Sequence, residues 1–215
     1  MTIWFASGNT HKKIELQAIL KDQGLDCTVL IPQDAGLEFD PEETGDTFTD
    51  NSLLKARELY TLLSRNRNTG HWRPGDPIIA DDSGICVDAL GGRPGVHSAY
   101  YAGPHNITDG KKIKASERNA LLLSELGDSD QRSARFVCAM TLLLCPDRFY
   151  IVQETCEGEL VKSPQDARGT NGFGYDPILF IPELNRTVAE LSDEEKNRIS
   201  HRARAGKAIA QLLKR

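Results

Sequence analysis

Two adjacent aspartates, Asp81 and Asp82, stand at the end of an apolar run, Ile78-Ile79-Ala80, and Ser83-Gly84 follow them. Such a run reads as a buried strand, broken by Ser83 and Gly84, that delivers two acids to a cleft. Neighbouring residues of a strand point to opposite faces, so at most one of the pair faces a given ligand. A carboxylate in that position suits Mg2+, which prefers oxygen donors and shares itself with substrate phosphates. Asp and Ser also cap turns, and these residues alone leave both readings open.

Other chemistry-bearing residues recur along the chain. Ser7-Gly8-Asn9-Thr10-His11-Lys12 follows a short β-prone run, Thr2 to Ala6, and precedes a helical segment. A strand, a polar Gly-containing loop and a helix form an arrangement that binds phosphate, because N–H groups at the helix start point at the anion. Lys12 adds a positive charge there. The glycine spacings of a P-loop and of a dinucleotide fingerprint are both absent. An ordinary helix capped by Ser or Asn is the competing reading. Asn51 and Lys55, at i and i+4, share one helix face, which is either simply solvated or turned to a cleft. The stretch 169–177 sets three glycines around Phe173 and Tyr175, as in a backbone that approaches something closely. Lys196, Arg198, His201 and Arg202 form a cationic cluster.

The 215 residues carry a net charge of −5 and the composition of a globular protein with a sizeable core. An acidic chain disfavours a broad nucleic-acid surface, so an anionic ligand must meet a local basic pocket. No apolar run is long enough to span a membrane. The N-terminus lacks a basic leader and a signal-length apolar segment, and the expected location is the cytoplasm. Five cysteines without Cys-x-x-Cys spacing read as reduced thiols. The histidines show no metal-pair spacing.

The elements that must position these residues follow from periodicity. The first helix runs to about Gln23, with Gly24 as its stop, and Cys27 to Ile31 reads as a second strand. Asp46 is the expected N-cap of a helix to about Ser64, with Phe48, Ser52, Leu59, Leu62 and Leu63 as its core stripe. Residues 65–76 form a polar loop in which Trp72 is a candidate anchor. A helix is expected from Asp109 to Leu126. A long strand follows from Arg132 to Cys145, with an antiparallel return over Phe149 to Cys156. Ile178 to Ile181 is a short strand. Ser192-Asp193-Glu194-Glu195 is a capping box that opens the last helix. In a straight helix Lys196 and His201 lie about 140° apart, so either few of the cations share a face or the helix breaks near Ser200.

Seven motifs occur in one order: Ser7-Gly8-Asn9 with Lys12; Glu42-x-x-Gly45; Asn51-x-x-x-Lys55-Ala56; Ala80-Asp81-Asp82-Ser83-Gly84; Gly92-x-Pro94-Gly95-Val96-x-Ser98-Ala99; Gly172-Phe173-Gly174-Tyr175-Asp176-Pro177; and Glu195-Lys196-Asn197-x-Ile199-Ser200-His201-Arg202. Together they resemble the inosine/xanthosine triphosphate pyrophosphatase family, over residues 2 to about 213. Two departures stand out. The loop 65–76 is longer than usual, and Tyr100 stands where an Arg is common. The resemblance implies an α/β fold with a long mixed sheet flanked by helices, and one domain of two lobes around a central cleft. It implies a homodimer, Mg2+ dependence, and hydrolysis of ITP, dITP and XTP to the monophosphate and pyrophosphate. On that layout Ser7, Gly8, Asn9, Thr10, His11, Lys12, Lys55 and Ser83 bind substrate, the phosphates lying on the Ser7–Lys12 loop. Glu42, Asp81 and Asp82 hold the metal, and Asp82 is the base that activates water. Phe173, Gly174, Tyr175, Asp176, Lys196, His201 and Arg202 are expected around the purine, with Phe173 stacking on it and the cations reading O6.

Overall fold

The computed structural model describes residues 1–66, 72–103 and 113–215. Among the described residues seven strands form one mixed sheet in the order β2-β1-β3-β4-β5-β6-β7. They are β1 (Thr2–Phe5), β2 (Thr28–Leu30), β3 (Ile78–Val87), β4 (Ser133–Cys145), β5 (Arg148–Leu160), β6 (Leu179–Ile181) and β7 (Arg186–Thr187). The helices are α1 (Thr10–Asp22), α2 (Phe48–Arg65), α3 (Ala115–Leu126), α4 (Asp193–Ile199) and α5 (His201–Leu213). Among the described residues no helix is long and apolar enough to cross a membrane.

The chain forms two compact units. The first comprises Met1–Asp82, Cys138–Glu154 and Arg202–Arg215. Here β1 pairs in parallel with β2 (Thr2 opposite Thr28) and with β3 (Phe5 opposite Ile79). Chain order therefore reverses direction at β1, and crevices that hold ligands in α/β sheets lie at the carboxyl ends of strands at such a point. One core of this unit joins Ile3, Phe5, Leu16, Ile79, Met140 and Ile209. Another joins Trp4, Ala56, Leu59, Leu63, Ile78 and Leu143. The two cores take alternate residues of β1 and β3, so both strands are buried on both faces.

The second unit comprises Ser83–Val137 and Thr155–His201. Leu122, Leu123 and Leu126 of α3 pack with Ile85, Phe136, Leu160, Tyr175 and Leu179 in its core. There β6 pairs antiparallel with β5 and with β7. Arg132 organises the connection after α3: its guanidinium donates to the carbonyls of Gly127, Ser129, Leu160 and Val161.

Several boundaries differ from the sequence reading for local reasons. β3 does not break at Ser83-Gly84 but continues to Val87. A Cβ on Gly84 would lie 2.4 Å from Ser98 Oγ and 2.5 Å from the Gly95 carbonyl, so the glycine permits close backbone approach inside a strand. Thr47, not Asp46, caps α2; its hydroxyl accepts from the Asp50 N–H. Asn51 and Lys55 join the buried face of α2, while Leu62 is only partly buried. α3 begins at Ala115, residues 109–112 of the expected helix lying outside the described residues. β5 extends to Leu160. Of the loop 65–76, residues 67–71 also lie outside the description; Trp72 is buried and meets Tyr60 edge-on at 5.8 Å. The final helix does break at Ser200, whose ψ of 151° is extended, leaving α4 and α5 as separate segments.

Candidate active site

The first unit concentrates charge where β1 ends, beside the middle of β3. Since Phe5 is level with Ile79, Asp81 lies alongside the loop that leaves β1. That loop enters α1 through Asn9, whose side chain accepts from the His11 and Lys12 N–H groups at 2.9 and 3.3 Å. Ser7 Oγ accepts from the Asn9 N–H at 3.1 Å. Gly8, Asn9, Thr10 and His11 are exposed, and Lys12 reaches back to Asp81 at 3.0 Å.

Asp81 and Asp82 point apart, as their strand positions require. Asp81 is 1% exposed. Its Oδ1 accepts from Lys12, and its Oδ2 accepts from Arg202 Nε and Nη2 at 3.1 and 2.9 Å. Burial by itself raises this carboxyl, but the charges of Lys12, Arg202 and Lys55 outweigh it and hold Asp81 well below the usual carboxylate range. Arg202, also 1% exposed, donates its remaining Nη1 to Glu15 at 2.9 Å.

Asp82 faces α2. Its Oδ1 accepts from Lys55 Nζ at 2.9 Å, and Asn51 Nδ2 lies 3.4 Å from its Oδ2. Asn51 is itself oriented by the Gly45 N–H, which donates to its Oδ1 at 2.7 Å. Lys55, at 6% exposure, is not a solvated helix lysine; the same ammonium donates to Glu43 Oε1 at 3.1 Å. Burial pushes Asp82 above the ordinary carboxylate value; Lys55 opposes this, while Glu43 and Asp81 add to it. Asp82 is therefore the member of the pair that takes up a proton more readily. Lys55 is held charged by Asp82, Asp81 and Glu43 against its own burial.

The expected metal group of Glu42, Asp81 and Asp82 is not assembled. Among the described residues no three His, Cys, Asp or Glu side chains form a metal-binding group. The strand sends the two aspartates to opposite faces, Asp81 is saturated with cations, and Glu42 is exposed. Glu43, its neighbour, is the glutamate brought to Lys55 and Asp82. An Asp82–Glu43 pair still suits Mg2+, because both carboxylates are oxygen donors and both converge on one cation, the Lys55 ammonium.

The second unit carries the glycine-rich loop. Gly172 and Gly174 have φ of +75° and +65°. A Cβ on Gly172 would lie 2.0 Å from Asp176 Oδ2, so the close approach foreseen for this loop is to its own Asp176. Asp176 Oδ2 accepts from the Phe173 N–H and from Lys196 Nζ, both at 2.8 Å. Lys196 Nζ also stands 4.9 Å from the centre of the Phe173 ring, which is 45% exposed. Tyr175 is buried and its hydroxyl donates to the Ser98 carbonyl at 2.8 Å, a pillar of the loop. His201 is buried and stacks on Phe136 at 5.0 Å. Ser83, next to Asp82, is partly buried.

Arg202 thus differs from its expected part as a side-chain donor to the base. Its guanidinium is engaged with Asp81 and Glu15 in the first unit, whereas Phe173, Asp176, Lys196 and His201 belong to the second. Sequence reasoning missed Glu43, Glu15 and Asn119. Two adjacent glutamates at 42 and 43 gave no periodicity to choose between them. Asn119, on α3, donates to the Gly174 carbonyl at 3.1 Å, and nothing in its own segment signals that contact.

An open α/β sheet with lysine-paired aspartates at a strand switch defines a class, the α/β proteins built to handle anionic ligands. The chain belongs to the Ham1 family, whose model matches residues 3–212. It is 45% identical over 214 residues to a dITP/XTP pyrophosphatase of Treponema denticola, covering 100% of this chain and 99% of that one. It is 43% identical over 205 residues to a dITP/XTP pyrophosphatase of Geobacillus kaustophilus, covering 94% and 89%. Among solved structures, the Staphylococcus aureus Ham1 protein matches with a TM-score of 0.79 at 34% identity, covering 100% of this chain and 98% of that one. A HAM1 protein from Coxiella burnetii matches with a TM-score of 0.78 at 35% identity, with the same coverage.

Proposed function

We propose that this chain hydrolyses non-standard purine nucleoside triphosphates, ITP, dITP and XTP, to the monophosphate and pyrophosphate, keeping them out of DNA and RNA. The observation that carries the reading is Asp82: a buried carboxylate paired with Lys55 at the switch point of the sheet, in a chain of this family. The names of the relatives support the substrate class.

In this reading the phosphates lie on the Ser7–Lys12 loop and the start of α1, with Lys12 and Lys55 neutralising their charge. Asp82 accepts a proton from the water that attacks the α-phosphorus, a task suited to a carboxylate raised above its ordinary value. Asp82 and Glu43 would hold Mg2+, which when bound acidifies water and screens phosphate charge. Asp81 is the buried counter-ion that aims Lys12. Phe173 stacks on the purine, and Lys196 donates to O6. Adenine presents an N6 donor at that position and leaves the ammonium facing another donor, which disfavours ATP. The enzyme works as a cytoplasmic homodimer in this reading.

Incubation of the protein with ITP and Mg2+ in oxygen-18 water tests the reaction. Label in IMP, with unlabelled pyrophosphate, is expected from attack at the α-phosphorus. IDP and phosphate as products would overturn the assignment.

A further inference from the structure

We propose that Asn119 of α3 is a positioning residue for the base-reading loop, holding the Gly174 carbonyl so that Phe173 and Asp176 keep their places. The proposal rests on the reading in which Phe173 stacks on the base.

Part of the loop faces open space. It borders a cavity of about 280 Å³ whose lining includes Ser116, Asn119, Pro164, Phe173, Gly174 and Ile178. Its backbone passes through two glycines with positive φ, at 172 and 174. Glycine restricts the backbone less than any other residue, so such a loop beside open space needs other constraints. Those constraints are polar. On one side Asp176 Oδ2 gathers the Phe173 N–H and Lys196 Nζ. On the other, Asn119 Nδ2 donates to the carbonyl of Gly174, the residue that joins the exposed Phe173 ring to the buried Tyr175.

Asn119 suits this role by its situation. It is 7% exposed on a helix that otherwise buries leucines. A buried amide is costly unless it is bonded. Its Oδ1 has no hydrogen-bond partner among the described residues, so the bond to Gly174 is the one that compensates for its burial. The preceding residue grips the next point of the loop. The Arg118 guanidinium stands 5.2 Å from the Tyr175 ring centre and donates to the Ala99 carbonyl at 3.1 Å. Adjacent residues of one helix thus hold adjacent residues of the loop, Asn119 at Gly174 and Arg118 at Tyr175.

The test uses Asn119→Ala and, as a second variant at a partly exposed position, Arg118→Met. Steady-state kinetics with ITP and ATP are combined with amide hydrogen exchange over residues 172–176. For Asn119→Ala the KM for ITP should rise about 3- to 10-fold, the value of one hydrogen bond, with kcat within about 2-fold. The ITP-over-ATP preference should fall, and exchange in the loop should accelerate. Arg118→Met should move each readout the same way by less. Folded variants with wild-type exchange and wild-type preference would overturn the proposal, as would an equal KM rise for both nucleotides. Wild-type protein with no preference for ITP would instead overturn the substrate reading, while loop exchange still decides the role of Asn119.

Discussion

Replacing Arg202 by Met should destabilise the protein far more than it alters nucleotide choice. The guanidinium is 1% exposed and makes three charge-assisted hydrogen bonds, two to Asp81 and one to Glu15. Methionine fills similar volume without charge, leaving Asp81 buried without the two hydrogen bonds and the charge that Arg202 supplies. Breaking a buried pair from one side costs about 3–5 kcal/mol. In a chain of this size that corresponds to a melting-point drop of roughly 6–20 °C. The acid dependence carries a second signature. Asp81 has a folded-state pKa depressed below its unfolded value, so its contribution is present above the unfolded value and lost as pH falls through the folded one. Removing Arg202 shrinks the depression. Stability of the variant should therefore vary less between about pH 5 and pH 2 than that of the wild type. Urea melts at pH 7 and about pH 2.5 measure both effects. The double variant Asp81→Leu/Arg202→Met should recover part of the loss, because no charge of the pair remains buried alone. A loss below about 1 kcal/mol for Arg202→Met, or strictly additive losses in the double variant, would refute the reasoning.

Other consequences are as specific. Lys55→Met removes the cation that opposes protonation of Asp82, so the acid limb of the pH–rate profile should move to higher pH; an unmoved limb contradicts Asp82 as the titrating base. Glu43→Gln should raise the Mg2+ concentration needed for half-maximal rate about 10-fold or more, whereas Glu42→Gln should leave it near wild type, read by metal titration of initial rates. Gly172→Ala places a Cβ 2.0 Å from Asp176 Oδ2 at a φ of +75°, so it should weaken ITP binding and lower the melting point, with a strain cost of about 1–3 kcal/mol. Wild-type affinity in that variant would show that the loop adjusts freely.

Much of this arrangement was legible because it is written in local pattern. Apolar runs marked β1, β3 and β4, and the Ser192 capping box marked the start of α4. The 140° offset between Lys196 and His201 correctly left a break at Ser200 as an option. Asn51 and Lys55 could be placed on one helix face, but whether that face is buried depends on Asp82, 27 residues beyond Lys55. Long-range partners escaped local reading in the same way. Arg202 read as one of a cationic cluster around the base, yet it is tied to Asp81, 121 residues away, and to Glu15, 187 residues away. Gly84 looked like a strand breaker because its neighbour across the backbone, Ser98, cannot be inferred from the residues beside it. Pattern does not separate Glu42 from Glu43 for a different reason: both glutamates lie outside any helix or strand, where side-chain direction has no period to follow.

The central claim is that Asp82, held by Lys55, is the group that activates the attacking water. Substituting Asp82→Asn keeps the shape of the side chain and removes its capacity to accept a proton. ITP turnover and ITP binding measured on that variant, side by side with wild type, test the claim most directly. Turnover should be lost to background with nucleotide binding still measurable; turnover near the wild-type rate would rule out Asp82 as the base.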